Sequence, residues 1–267
     1  MNTILKIEQL HQYFGKGTVN ENHVLRGIDL KLKEQDFVTI IGGNGAGKST
    51  LLNSIAGTLP IKEGKIFLNQ EDITNQKVEK RSKHISRVFQ DPKMGTAVRL
   101  TVEENLALAL KRGQSRGLSS GVKKRDRQFF KEQLATLGLG LEERLGAEIG
   151  LLSGGQRQAI TLLMATIIKP QLILLDEHTA ALDPKTSAVV MNLTEKLIGE
   201  HKLTAFMVTH DMEDALRYGN RLIMLHQGKI AVDVSGEEKS RLKVADLLEL
   251  FHKNSGETLT DDKLLLG

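Results

Sequence analysis

The sequence has 267 residues, a net charge of +4 at pH 7, 40% apolar residues and no cysteine. The lack of cysteine excludes disulfides, thiol nucleophiles and thiolate metal sites, and so mild a positive charge does not by itself indicate nucleic-acid binding. Length and apolar content predict a folded protein of one or two domains. Because the first residues carry no signal-peptide pattern and no apolar run approaches the ~18 residues of a membrane-spanning helix, we expect a cytoplasmic chain.

The N-terminal part is typical of short strands that lead into a glycine-rich loop and a helix. Alternating or continuous apolar residues predict strands at residues 4–10, 24–32 and 37–41. The third strand runs into the loop, residues 42–50, and the helix that follows is predicted to end at Gly57. Strand, loop and helix in this order form the context that a phosphate-binding loop requires.

The rest of the chain is first helical and then alternates strands with helices. Residues 91–169 have helical spacing, with a capping box at 101–104, a Gly/Ser break near 113–121 and a helix over 124–137. Strands are predicted at 172–175, 205–209 and 221–225, and a helix at 185–200. This order predicts an α/β fold with a parallel sheet and an inserted helical lobe. From residue 239 onward we expect one amphipathic helix and a frayed end.

The glycine-rich loop has the residues that hold a triphosphate. Glycines let successive backbone N–H groups turn toward a phosphate, and the helix that follows adds its positive end. Lys48 is expected to bridge the β- and γ-phosphates, and the Ser49 hydroxyl to bind Mg²⁺. The predicted phosphate-binding residues are Gly42, Asn44, Gly45, Ala46, Gly47, Lys48, Ser49 and Thr50.

Polar side chains follow the predicted buried strands and suit the chemistry of phosphoryl transfer to water. Asp176 and Glu177 end the strand at 172–175, where Asp176 is expected to hold Mg²⁺ and Glu177 to act as general base for the attacking water. His210 follows another strand, where its ring can contact the γ-phosphate and orient the water. Gln90 ends a strand before the helical lobe, and its amide is a candidate Mg²⁺ ligand.

A second glycine-rich turn, LSGGQ at residues 152–156, has no evident use within one chain. Ser153 is expected to cap the helix that follows, and the glycines admit close approach of an anion. If two copies meet head to tail, this turn covers the γ-phosphate held by the partner's loop. The residues predicted to contact the partner's ATP are Ser153, Gly154, Gly155 and Gln156.

These motifs, in this order, resemble those of the ATP-binding-cassette (ABC) ATPases over residues 1–240. The resemblance implies a P-loop NTPase, RecA-like core (residues 1–90 and 170–240) with an N-terminal antiparallel β-subdomain, an inserted helical subdomain (91–169) and a helical tail (241–267). It also implies that Phe14, or alternatively Tyr13, stacks on adenine and that Asp183 couples the two sites of a dimer. His178 stands where the family usually has proline, which we interpret as a local backbone difference rather than a new ligand.

The resemblance implies an ATP- and Mg²⁺-dependent hydrolase that powers solute transport through separate membrane permease subunits, like the subunits of prokaryotic importers. Its expected partners are a second copy or a paralogous ATPase, the permease and an extracellular solute-binding protein, with no nucleic acid. Its expected location is the inner face of the cell membrane. The alternative is a soluble ABC ATPase of a cofactor-assembly or nucleic-acid-associated complex. Pure nucleotide sensing is disfavoured by the presence of Glu177 and His210. The solute stays open, with amino acids as one candidate.

Overall fold

The computed structural model describes residues 2–114 and 121–255. Its strands are β1 (Thr3–Phe14), β2 (Asn22–Lys33), β3 (Phe37–Ile41), β4 (Glu63–Leu68), β5 (Glu71–Asp72), β6 (Ile85–Val88), β7 (Leu172–Asp176), β8 (Ala205–Val208), β9 (Arg221–His226) and β10 (Lys229–Ser235). Its α-helices are α1 (Lys48–Ala56), α2 (Val78–Arg81), α3 (Val102–Leu110), α4 (Lys124–Ala135), α5 (Gly154–Thr166), α6 (Pro184–Glu200), α7 (Met212–Arg217), α8 (Gly236–Arg241) and α9 (Val244–Ser255). The described residues divide into two compact units, one within the ranges 1–81 and 202–267 and one within the range 82–201.

The first unit contains an antiparallel sheet in the order β2-β1-β4-β5. In the other strands of this unit, β3 lies between β8 and β9 and is parallel to both. β10 pairs antiparallel with β9. Every residue of β3 is buried, as its continuous apolar sequence predicts for a strand covered on both faces. The C-terminal helices of this unit pack against its strands through a cluster of buried side chains that includes Met212, Met224, Leu247 and Phe251.

The second unit combines two parallel strands, β6 and β7, with the helices α3 to α6. Its helical core is a cluster of buried aliphatic side chains around Phe130 and Leu134 of α4, Leu106 of α3 and Leu163 of α5. The predicted capping box is present at the start of α3, where the Thr101 hydroxyl accepts from the Glu104 backbone N–H at 3.3 Å. The Gly/Ser break predicted near 113–121 lies partly outside the described residues.

One prediction about the C-terminal part is wrong. Instead of one helix from residue 239 onward, α8 ends at Arg241 and α9 begins at Val244. The break is stabilised by Asp246, whose carboxylate accepts from the Lys243 backbone N–H at 2.8 Å and so satisfies a donor that precedes α9. The frayed end predicted after this helix lies outside the described residues.

Candidate functional site

The glycine-rich loop joins the buried strand β3 to helix α1, as its sequence predicts. Gly47 precedes the helix and offers no side-chain acceptor, so the first-turn N–H groups of α1 have no side-chain cap. A helix start of this kind suits an anion. The Lys48 side chain is buried and folds back on the loop, because its Nζ donates to the carbonyl oxygens of Gly42 at 2.5 Å and Gly43 at 3.3 Å. These contacts hold the ammonium group against the first two residues of the loop.

Gly42 is the position in this loop where an added Cβ atom would come closest to neighbouring backbone. Its φ of +152° is unfavourable for other residues, and a Cβ atom there would lie 2.3 Å from the carbonyl oxygen of Leu225 on β9. The loop can therefore run close to the neighbouring strand because residue 42 is glycine.

The two aromatic residues at the end of β1 have different surroundings. Phe14 is 46% exposed. The ring of Tyr13 stacks on His23 with 4.0 Å between ring centroids, and Lys16 Nζ lies 4.2 Å from the Tyr13 ring centroid. The Tyr13 ring is thus already in contact with the protein, whereas Phe14 presents its side chain to solvent.

Asp176 and Glu177 mark the end of β7 in the second unit. The Asp176 carboxylate pairs with Arg87 of the neighbouring strand β6, with 2.6 Å between Oδ2 and Nη2, and both side chains are largely buried. The Arg87 guanidinium also lies 4.7 Å from the ring centroid of Phe89. Glu177 is half-buried and has a φ of +44°, in the left-handed region. Arg87 was not among the predicted site residues, and its only signal in the sequence is a cation within the otherwise suitable strand sequence ISRV.

The second glycine-rich turn, whose residues 153–156 are called the signature turn from here on, forms the N-terminus of α5. The Ser153 hydroxyl accepts from the Gln156 N–H at 3.3 Å, and the Gln156 side chain accepts from the Ser153 N–H at 3.2 Å, which together make a capping box. The predicted cap at Ser153 is therefore present. Gly155 is buried against α6, because a Cβ atom at this position would lie 2.1 Å from Cγ2 of Thr186.

Asp183 is the N-cap residue of α6, the helix that contains Thr186. Its carboxylate accepts from the Thr186 backbone N–H at 3.1 Å. Hydrogen bonds from the Thr186 side chain and backbone lower the pKa of Asp183. Thr186 thus contacts both Asp183 and the signature turn, and it was not among the predicted site residues.

His178 is buried in the second unit. Its Nε2 lies 2.9 Å from the Thr194 hydroxyl of α6, and burial lowers the pKa of the imidazole to about 4. The ring is therefore neutral near pH 7. In the part of the chain that the structure describes, no group of three or more His, Cys, Asp or Glu side chains is arranged to hold a metal ion.

The predicted site residues belong partly to the first unit and partly to the second. The phosphate-binding loop, Phe14 and His210 belong to the first unit; Gln90, the two carboxylates, the signature turn and Asp183 belong to the second. His210 is exposed and lies two residues after β8, and Gln90 lies two residues after β6. Both side chains thus follow a strand end, where the sequence predicts them.

Comparisons with known proteins identify the class. The ABC transporter family matches residues 25–180. A tyrosine transport ATP-binding protein of Clostridioides difficile is 43% identical over 248 residues, which is 93% of this chain and 98% of that protein. An energy-coupling factor transporter ATP-binding protein of Acetivibrio thermocellus is 32% identical over 248 residues, 92% of this chain and 84% of that protein.

Solved structures show the same fold. The dimeric post-hydrolysis state of an ATP-binding cassette bound to ADP and phosphate is similar, with a TM-score of 0.73 and 31% identity over 87% of this chain and 98% of that one. The chain therefore belongs to the ABC transporter family. It is an ATP-binding and ATP-hydrolysing subunit that powers transport, and the predicted family, fold class and enzymatic activity are confirmed. Among residues 2–114 and 121–255, no helix has the length and apolar character needed to cross a membrane.

Proposed function

We propose that this chain is the ATPase subunit of an importer for tyrosine or a chemically similar amino acid. The observation that carries the proposal is the 43% identity to the tyrosine transport ATP-binding protein, which extends over 98% of that relative. The similarity spans 93% of this chain, so it is not confined to the nucleotide-binding motifs. In this proposal the chain lies on the inner face of the cell membrane, bound to a separate permease that a solute-binding protein supplies with substrate.

Within the protein, we propose that nucleotide is held as Mg²⁺–ATP by the loop of residues 42–50. Ser49, Gln90 and Asp176 are the proposed Mg²⁺ ligands, and their oxygen atoms are donors of the kind that this ion prefers. Bound Mg²⁺ would neutralise phosphate charge during phosphoryl transfer. Since Arg87 already compensates the charge of Asp176, the ion must share this carboxylate with the guanidinium or displace it.

The proposed hydrolysis site is completed by a second copy. Glu177 takes the proton of the attacking water, and His210 holds the γ-phosphate and orients that water. The signature turn of residues 153–156 then covers the triphosphate bound to the partner, while Asp183 connects the two sites. Support for this arrangement comes from the dimeric cassette with ADP and phosphate that this chain resembles.

Purification from native membranes tests the transport proposal. The affinity-tagged chain is expected to copurify with an integral membrane subunit, and the reconstituted complex is expected to accumulate tyrosine in an ATP-dependent manner. The Lys48→Ala variant is the control, because it should assemble with the permease but not support uptake. Recovery with soluble proteins alone would contradict the transport role, and uptake of an unrelated solute would contradict the substrate class.

The base-stacking proposal predicts different effects for the two neighbouring aromatic residues. We expect Phe14→Ala to weaken ATP binding about 10-fold, since stacking of an aromatic ring on a base contributes ~1–3 kcal/mol. Tyr13→Ala should weaken it less, because the Tyr13 ring packs on His23. Equilibrium binding of a fluorescent ATP analogue measures both effects, and a larger loss for Tyr13→Ala would assign adenine to Tyr13.

A further inference from the structure

His178 connects the loop that carries Glu177 to helix α6. The imidazole is only 2% exposed, and its contact with Thr194 crosses from the end of β7 to the middle of the helix. The residue follows Glu177 directly, so anything that fixes the His178 side chain also limits where the Glu177 backbone can move.

The direction of the His178 hydrogen bond can be deduced from its partner. The Thr194 hydroxyl donates its single proton to the carbonyl oxygen of Val190 at 2.9 Å. Both contacts of the hydroxyl are satisfied together when its oxygen accepts from the imidazole, in the tautomer with the proton on Nε2 of His178. The contact is thus a directed hydrogen bond, in which the histidine donates to the helix at 2.9 Å.

The backbone of Glu177 needs support from its surroundings. With φ at +44° it occupies a region that residues with a Cβ atom adopt rarely, and such conformations persist where the flanking structure holds them. On one side, Asp176 ends β7, which pairs with β6. On the other side, the buried His178 is hydrogen-bonded to α6, and Ala180 donates its N–H to the Glu177 carbonyl at 3.0 Å.

We propose that His178 is a positioning residue for hydrolysis: its hydrogen bond to Thr194 anchors the Glu177 loop to α6 and so fixes the carboxylate where the attacking water is bound. This inference rests on the proposed role of Glu177 as general base. Proline, which the family resemblance implies at this position, cannot form such an anchor. This chain therefore holds the loop by a side chain instead of by a ring-restricted backbone.

Substitutions that separate shape from hydrogen bonding test the proposal. His178→Gln places an amide N–H near the position of Nε2 and is expected to retain kcat within about threefold. His178→Asn keeps the amide but is too short to reach Thr194, and it is expected to lower kcat about tenfold or more, because small displacements of a reacting group are costly. His178→Phe should behave like His178→Asn. The KM for ATP and the binding of a fluorescent ATP analogue should change less than twofold in all three variants.

Thr194→Val provides the reciprocal test. It is expected to lower kcat as His178→Asn does, and the double variant should lose no more than either single one, because both remove the same interaction. Equal kcat for the Gln, Asn and wild-type proteins would overturn the proposal, and so would loss of ATP binding in parallel with kcat. Full activity of Glu177→Gln would instead refute the role of Glu177 itself, so the two failures are distinguishable.

Discussion

The Glu177→Gln protein is expected to bind ATP as the wild type does and to hydrolyse it about 100- to 10,000-fold more slowly, the range for loss of a general base. The substitution keeps the size and polarity of the side chain and removes only the ability to take a proton from water. Because Glu177 is half-buried at the end of β7, the fold should tolerate the amide. ATP binding without turnover should then accumulate the ATP-bound dimer.

Two measurements together check this result. Steady-state phosphate release gives kcat, and size-exclusion chromatography with light scattering in Mg²⁺–ATP gives the oligomeric state. Glu195→Gln is the matched control, since it makes the same chemical change at an exposed position of α6 in the same unit. Unchanged hydrolysis in Glu177→Gln would exclude its role as base. A variant that stays monomeric with bound ATP would contradict the head-to-tail dimer.

The elements that flank the nucleotide loop could be predicted because their signals are local in the sequence. The predicted strand at residues 37–41 matches β3, and the predicted helix end at Gly57 matches α1, whose C-cap glycine has φ of +82°. In both cases the signal lies within a few residues of the element that it defines. The roles of the individual site residues, and the predicted domain boundaries, stay predictions.

Other features of the site could not be predicted, because they depend on contacts between residues that are far apart in the sequence. Arg87 and Asp176 are 89 residues apart in sequence, and no periodicity indicates that their strands pair. The contact between Gly155 and Thr186 likewise requires α5 and α6 to pack together. By contrast, β10 had a local signal that was not used in the prediction. The signal is the pair Gln227 and Gly228, which both have positive φ and form a short turn between β9 and β10.

The Gly155→Ala protein is expected to hydrolyse ATP about 100-fold more slowly while the isolated chain still binds the nucleotide. Alanine normally stabilises a helix by ~1 kcal/mol relative to glycine. Here its Cβ atom would lie 2.1 Å from Cγ2 of Thr186, so α5 and α6 must separate or Thr186 must rotate. Rotation would disturb the hydrogen bonding of Thr186 to Asp183, the cap of α6. Separation of the helices displaces the turn proposed to cover the partner's phosphate, whereas rotation of Thr186 weakens the cap formed by Asp183, the residue proposed to connect the two sites.

The structure also predicts how the defect can be repaired. Thr186→Ser removes the Cγ2 methyl group but keeps the hydroxyl, so the Gly155→Ala, Thr186→Ser double variant is expected to recover most of the hydrolysis rate. Thr186→Ser alone should hydrolyse ATP at nearly the wild-type rate. Gly199→Ala is the control for helix propensity, because Gly199 lies in α6 with open space around its missing side chain.

Thermal unfolding separates the steric effect from a general loss of fold. Overpacking at Gly155→Ala should destabilise the chain by ~1–3 kcal/mol, the double variant should regain most of this free energy of unfolding, and Gly199→Ala should be as stable as the wild type or more so. If the double variant folds as well as the wild type but stays inactive, the absence of a side chain at residue 155 is itself needed for close approach to the partner's phosphate. If Gly155→Ala alone is fully active, the contact with Thr186 does not position the signature turn, and the coupling from Asp183 must take another route.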